Sequence, residues 1–101
     1  MRVAVVRGGG VAGLVTSTEL DSADLADADA DALRAAVERA RSAHVPPTGA
    51  GMPDRFGYEV HVEDEGRTDT LRTREPLPDP VRELITLVQE SPARRRRTGP
   101  P

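Results

Sequence analysis

The chain has 101 residues, 37% of them hydrophobic and only 2% aromatic, with a formal net charge of -3. This length suits one small domain with a modest core, because a chain of about 100 residues buries only about 60–65% of its unfolded surface. The absence of cysteine excludes a disulfide framework, a thiolate metal site and a cysteine nucleophile. No apolar run approaches the roughly 20 residues of a membrane span, and the first residues lack a secretory signal pattern, so we expect a cytoplasmic protein.

The first predicted elements are two strands joined by a glycine-rich loop. Residues 2–7 are apolar on both faces, which predicts a central strand, and residues 14–20 alternate between two faces as in a second strand. The loop between them holds four glycines in the seven residues Arg7, Gly8, Gly9, Gly10, Val11, Ala12 and Gly13. Because glycine has no Cβ, such a loop can adopt positive φ angles and bring its backbone close to a partner.

A helix is predicted next, running to about Ala43. Asp21 or Ser22 could cap its start, and Asp27 or Asp29 could begin it later. Its apolar face has helical spacing and consists of Ala30, Leu33, Ala36, Val37 and Ala40. On its exposed side, Glu38 is spaced to pair with Arg34 and with Arg41. Two prolines at positions 46 and 47 end the helix.

The second half of the chain repeats the order of two strands and a helix. The strongest strand signal starts at Phe56 and alternates, with Tyr58, Val60 and Val62 on the face predicted to be buried. A turn at residues 64–66 leads to a fourth strand at 67–73, which is polar enough for an edge. A second helix follows, with Asp79 as its predicted N-cap, Pro80 at its first position and an apolar stripe formed by Val81, Leu84, Ile85 and Val88.

The order ββαββα predicts an α+β fold, in which two helices pack on one face of a four-stranded antiparallel sheet. We assign residues 1–90 to this domain. Residues 91–101 have almost no apolar content and are predicted to form a disordered tail. This tail carries the four consecutive arginines at positions 94–97, so the predicted domain is acidic and the tail is basic.

Three segments together resemble the emfourin-like inhibitors of protealysin and related thermolysin-type metalloproteases. They are the glycine loop at 7–14 after a leading strand, the run at 54–60 that continues into 62–67, and Leu77-Pro78 followed by the 81–88 helix. Each segment alone is common, but their joint order and separation are specific, and the resemblance covers residues 1 to about 89. The chain departs from the family pattern at Val11 and at residues 42–46, where the family often carries aromatic residues.

The resemblance implies a small cytoplasmic inhibitor, monomeric when free, that occupies the active-site cleft of a thermolysin-like zinc protease. The candidate protease-binding residues are Arg7, Gly8, Gly9, Gly10, Val11, Ala12, Gly13, Asp54, Arg55 and Phe56. Two simpler interpretations stay open: the glycines can serve only as a hairpin turn, and Phe56 and Tyr58 can serve as core residues rather than contact residues.

Nothing in the sequence indicates catalysis, so we expect no enzyme activity, no cofactor and no metal site. His44 and His61 lack a metal-binding spacing, and the glycine loop lacks the Gly-Lys-Ser/Thr of a phosphate-binding loop. The second hypothesis is a non-catalytic adaptor or nucleic-acid-associated module that uses the arginines of the tail, since arginine neutralises phosphates. The acidic domain and the lack of interleaved aromatic residues argue against nucleic acid, and no membrane partner is expected.

Overall fold

The computed structural model describes residues 1–8, 15–43, 57–74 and 77–99. Within these ranges it confirms the α+β class and the predicted order ββαββα, and it adds a fifth strand at the end. The elements are β1 (Arg2–Gly8), β2 (Val15–Asp21), a 3-10 helix (Ser22–Asp24), α1 (Asp27–Ala43), β3 (Gly57–Asp64), β4 (Arg67–Arg74), α2 (Asp79–Glu90) and β5 (Arg95–Gly99).

All five strands form one antiparallel sheet in the order β4-β3-β1-β2-β5. The doubly apolar β1 is central, and the polar β4 lies at an edge, as the sequence predicts. In the register, Val3 stands opposite Leu20 of β2 and Val62 of β3, and Val5 stands opposite Val60. Because side chains alternate along a strand, these five residues point to the same face of the sheet, and all five are buried.

The hydrophobic core lies between this face and the two helices. The predicted stripe of α2 is confirmed, since all four of its apolar residues are buried, and the stripe of α1 is confirmed except at Ala30, which is only half-buried. The buried hydrophobic side chains of the described residues are all aliphatic. Tyr58 is half-buried and packs against the core from its margin, which supports the packing interpretation for this residue.

The start of α1 settles two alternatives that the sequence left open. The helix begins at Asp27, and Asp21 instead caps the 3-10 helix by accepting a hydrogen bond from the backbone N–H of Ala23 at 3.0 Å. The predicted ion pair of Glu38 with Arg41 is present at 3.0 Å. Arg34 does not pair with Glu38, because its guanidinium reaches Asp64 across the sheet end at 3.5 Å.

The start of α2 differs from the prediction by one residue. Asp79 lies in the first turn, and Pro78 occupies the N-cap position without a side-chain capping bond. The Asp79 carboxylate accepts a hydrogen bond from Arg82 at 2.9 Å. An acidic side chain remains favourable there, because the first turn carries the positive end of the helix dipole.

The fifth strand corrects the prediction of a disordered tail for residues 95–99. Arg95–Gly99 pairs with β2 from Glu19 opposite Arg95 to Val15 opposite Gly99. The sequence of this strand contains no hydrophobic residue and therefore gives no signal of burial. In the structure the side chains of Arg95 and Arg96 are exposed. Its order comes from backbone pairing with a strand edge, which is a property of the assembled sheet and not of the segment itself.

We expect Leu33→Ala to lower the free energy of unfolding by roughly 2–5 kcal/mol, because it opens a cavity in a closely packed core. Leu33 is 0% exposed. Leu87→Ala provides the matched control, since Leu87 is on α2 but only half-buried. It should lower the free energy of unfolding clearly less than Leu33→Ala does. Urea unfolding measured by circular dichroism checks both variants, and equal losses would contradict this assignment of the core.

Candidate functional site

The predicted contact residues that the structure describes lie at one end of the sheet. Of the ten, the structure describes Arg7 and Gly8, which end β1. The other eight lie outside the described residues, namely Gly9, Gly10, Val11, Ala12, Gly13, Asp54, Arg55 and Phe56. Gly8 stands directly opposite Gly57, the first residue of β3. Gly8, the last described residue of the first segment, is therefore a sheet neighbour of Gly57, the residue that follows the second segment.

Glycine recurs at the strand ends that meet here. Gly8 closes β1, Gly57 opens β3, and Gly99 closes β5 opposite Val15. Among the described residues, a Cβ built on Gly57 would meet only the carbonyl oxygen of Thr73, at 3.9 Å, so packing against this part of the chain does not require glycine. Because glycine leaves the backbone uncovered, this end of the sheet can approach the surface of another protein closely.

Arg7 and Tyr58 are two of the described side chains at this end of the sheet. They are cross-strand partners on the helix-covered face, and the guanidinium carbon of Arg7 lies 6.0 Å from the centre of the Tyr58 ring. This distance is at the outer limit of a cation–π contact. Arg7 is exposed and Tyr58 is half-buried, so the ring contacts the arginine from the core side.

A polar network on the opposite, uncovered face was not predicted from the sequence. His61 contacts the Thr70 hydroxyl through Nδ1 at 3.1 Å and the Glu59 carboxylate through Nε2 at 3.2 Å. Arg72 reaches the same carboxylate at 3.5 Å. The network depends on the β3–β4 register, which places Thr70 opposite His61 and which no local pattern reveals.

The grouping of carboxylate, imidazole and hydroxyl resembles that of a hydrolase triad, but its setting differs. Hydrolysis also requires donors aimed at a developing oxyanion in a site that excludes water. The Glu59 and His61 side chains are 44% and 37% exposed on the face of a sheet, so water reaches both groups. We interpret the network as a solvated cross-strand cluster. Among the described residues, no three His, Asp or Glu side chains are placed to hold a metal ion.

A groove of about 410 Å³ lies at the other end of β2, between the start of α1 and the end of α2. Its apolar floor includes Leu20, Leu25 and Leu87, and its rim carries the carboxylates of Asp29 and Glu90. Leu20 is five residues along β2 from Val15, which corresponds to about 17 Å at the rise of an antiparallel strand. This groove is therefore separate from the glycine-rich end of the sheet.

We expect Gly57→Ala to change the free energy of unfolding by less than about 1 kcal/mol, since its Cβ fits among the described residues and alanine loses less conformational entropy than glycine when a strand forms. Gly66→Ala provides the contrast. Gly66 lies in the β3–β4 turn with a φ of 79°, where a side chain costs about 1–2 kcal/mol. Parallel urea titrations check the pair, and a larger loss for Gly57→Ala than for Gly66→Ala would contradict the described turn.

Comparison with known proteins places this chain in a protein family. A family model described as Emfourin matches residues 5–89. The match begins within β1 and ends within α2, so β5 lies beyond it. No curated protein and no solved structure shows a significant match to the chain. Neither helix in the described parts of the chain is long and apolar enough to cross a membrane.

Proposed function

The chain belongs to the Emfourin family of metalloprotease inhibitors, and from this premise we propose that it inhibits a thermolysin-like zinc protease of the protealysin type by occupying the active-site cleft. The observation that carries the proposal is the extent of the family match, residues 5–89, which contains both candidate contact segments, 7–13 and 54–56. The proposed inhibitor is a cytoplasmic monomer until it binds the protease.

The sheet supports the proposal by bringing the ends of the two segments together. β1 leads into the glycine segment at Gly8, and β3 begins at Gly57 directly after the second segment. The antiparallel pairing of Gly8 with Gly57 makes these ends neighbours, although they are far apart in sequence. A surface built on paired strands loses less conformational entropy on binding than separate loops would, and this favours affinity.

In this proposal the backbone of the glycine segment provides most of the contact. The segment carries one larger apolar residue, Val11, which we assign to a side-chain pocket of the protease cleft. Arg7, an exposed residue at the end of β1, lies at the margin of the contact. The chemistry of zinc belongs entirely to the protease, and the inhibitor acts by excluding substrate.

The alternative, an adaptor that uses the basic tail to bind nucleic acid, has less support. Arg95 lies 3.7 Å from the Asp24 carboxylate and opposite Glu19 in the sheet register. Acidic neighbours reduce the positive potential that a phosphate backbone would encounter. The family match also stops before the arginines.

Purified protein should inhibit a protealysin-like enzyme in a peptide-hydrolysis assay. We expect activity to fall with increasing protein concentration and to be lost at micromolar protein, because standard-sized protein interfaces reach this affinity or better. Heat-denatured protein at the same concentrations serves as the control. Unchanged protease activity at micromolar protein would exclude this enzyme as the target.

Replacing Gly9 and Gly10 with valine should weaken inhibition about tenfold or more, because added side chains prevent close approach of the backbone at the centre of the contact. The thermal midpoint should stay close to that of the parent chain. Asp27→Val is the matched control at an exposed position at the start of α1, and it should leave inhibition unchanged. A loss of stability in proportion to the loss of inhibition would assign the glycines a purely structural role.

A further inference from the structure

Strand β5 lies outside the family-matched region, and yet it reaches the end of the sheet where the glycine segment begins and ends. We propose that β5 anchors the second end of the inhibitory segment by fixing Val15, so that this strand tunes inhibition although its described side chains, Arg95 and Arg96, are exposed. This inference rests on the proposed function. It concerns Gly8 and Val15, the described residues on either side of positions 9–14.

The register shows how the two anchors are held. The two anchors are Gly8 at the end of β1 and Val15 at the start of β2. Pairing between β1 and β2 ends at Arg7 opposite Thr16, so neither anchor takes part in it. Gly8 is instead paired with Gly57 of β3, and Val15 is paired with Gly99 of β5. Each anchor is therefore held by the strand on its outer side. Without β5, Val15 would lose its cross-strand partner in this register, and β2 would become a sheet edge.

The attachment of β5 differs from that of every strand within the family match. Its side chains at Arg95 and Arg96 are exposed, whereas β1, β2, β3 and β4 each bury at least one residue in the core. Backbone pairing with β2 and the 3.7 Å approach of Arg95 to Asp24 hold it in place. At the near end, Arg94 donates its backbone N–H to the Ser91 carbonyl at 3.1 Å, which closes the turn out of α2.

This mode of attachment separates anchoring from global stability. Removing β5 deletes no buried side chain of the described core, so the fold should persist. The same deletion frees the backbone at Val15, which must then be ordered when the protease binds. Ordering the backbone of one residue corresponds to roughly a 5- to 30-fold loss of affinity.

The first test compares two truncations, one lacking residues 95–101 and one lacking only 100–101. Both keep Arg94 and the turn after α2. We expect the longer truncation to inhibit roughly 5- to 30-fold less well and to lose hydrogen-exchange protection at the β2 amides that face β5. Amides of β1 and β3 should stay protected. The shorter truncation should match the full chain in inhibition, in protection of the β2 amides and in protection of the β1 and β3 amides.

Two proline variants test the same strand without shortening the chain. Adjacent residues of an edge strand direct their N–H groups alternately to the neighbouring strand and to solvent, and proline removes that donor. Of Arg97→Pro and Thr98→Pro, one should therefore reproduce the effect of the longer truncation and the other should be much milder. Arg97→Ala and Thr98→Ala keep the donor and should inhibit normally.

The outcomes separate this inference from the proposed function. If the full chain inhibits and both the longer truncation and the two proline variants inhibit equally well, anchoring by β5 is wrong and the proposed function stands. If the full chain does not inhibit, the proposed function fails, and hydrogen exchange alone decides whether β5 fixes β2. Unchanged protection of β2 after truncation would overturn the anchoring. If the longer truncation unfolds, the contrast between the proline variants decides whether β5 anchors β2.

Discussion

The structure depends on the packing of two aliphatic helix stripes against one face of the sheet. Val5 of the central strand is 1% exposed and Val60, its partner in β3, is 0% exposed. This packing also fixes the strand register. Because strand side chains alternate, a slip of one residue in β3 would turn Glu59 and Glu63 towards the core, at a cost that a domain of this size could not sustain.

The register set by the core then determines which strand ends adjoin. With Val5 opposite both Val60 and Thr18, the same ladders carried outward place Gly8 beside Gly57 and Arg7 beside Thr16. The glycine-rich end of the sheet is thus a geometric consequence of packing that lies several residues away. The proposed contact surface can consequently consist mainly of backbone, since the placement of its anchoring strand ends does not depend on its own side chains.

The elements that sequence reasoning identified are those that bury side chains periodically. The alternation of β3 and the stripe from Val81 to Val88 are signals of burial, and the structure confirms both. Strand β5 has no such signal, because its order comes from pairing with β2 and from acidic groups such as Asp24 around Arg95. The contact of His61 with Thr70 depends on the register between two strands, which a single strand's pattern does not contain.

The candidate site followed from a family resemblance rather than from burial patterns. Glycine positions carry no hydrophobic periodicity, so composition indicates only that close backbone approach is possible. The family match spans both segments without assigning a contact to either, and the pairing of Gly8 with Gly57 gives a physical reason for two distant segments to act together. All ten predicted contact residues stay a prediction, and eight of them lie outside the described residues.

The position of β5 outside the family match bears on how such an inhibitor can be tuned. The described side chains of β5, Arg95 and Arg96, are exposed, so we expect that this strand can be gained or lost with little repacking of the described core. Its effect is concentrated at Val15, next to the proposed contact. Deleting the basic tail is therefore an ambiguous experiment, because the deletion removes both a cluster of positive charges and the strand that anchors Val15. Only changes that separate the arginine side chains from the backbone of β5 distinguish an inhibitor from a nucleic-acid adaptor.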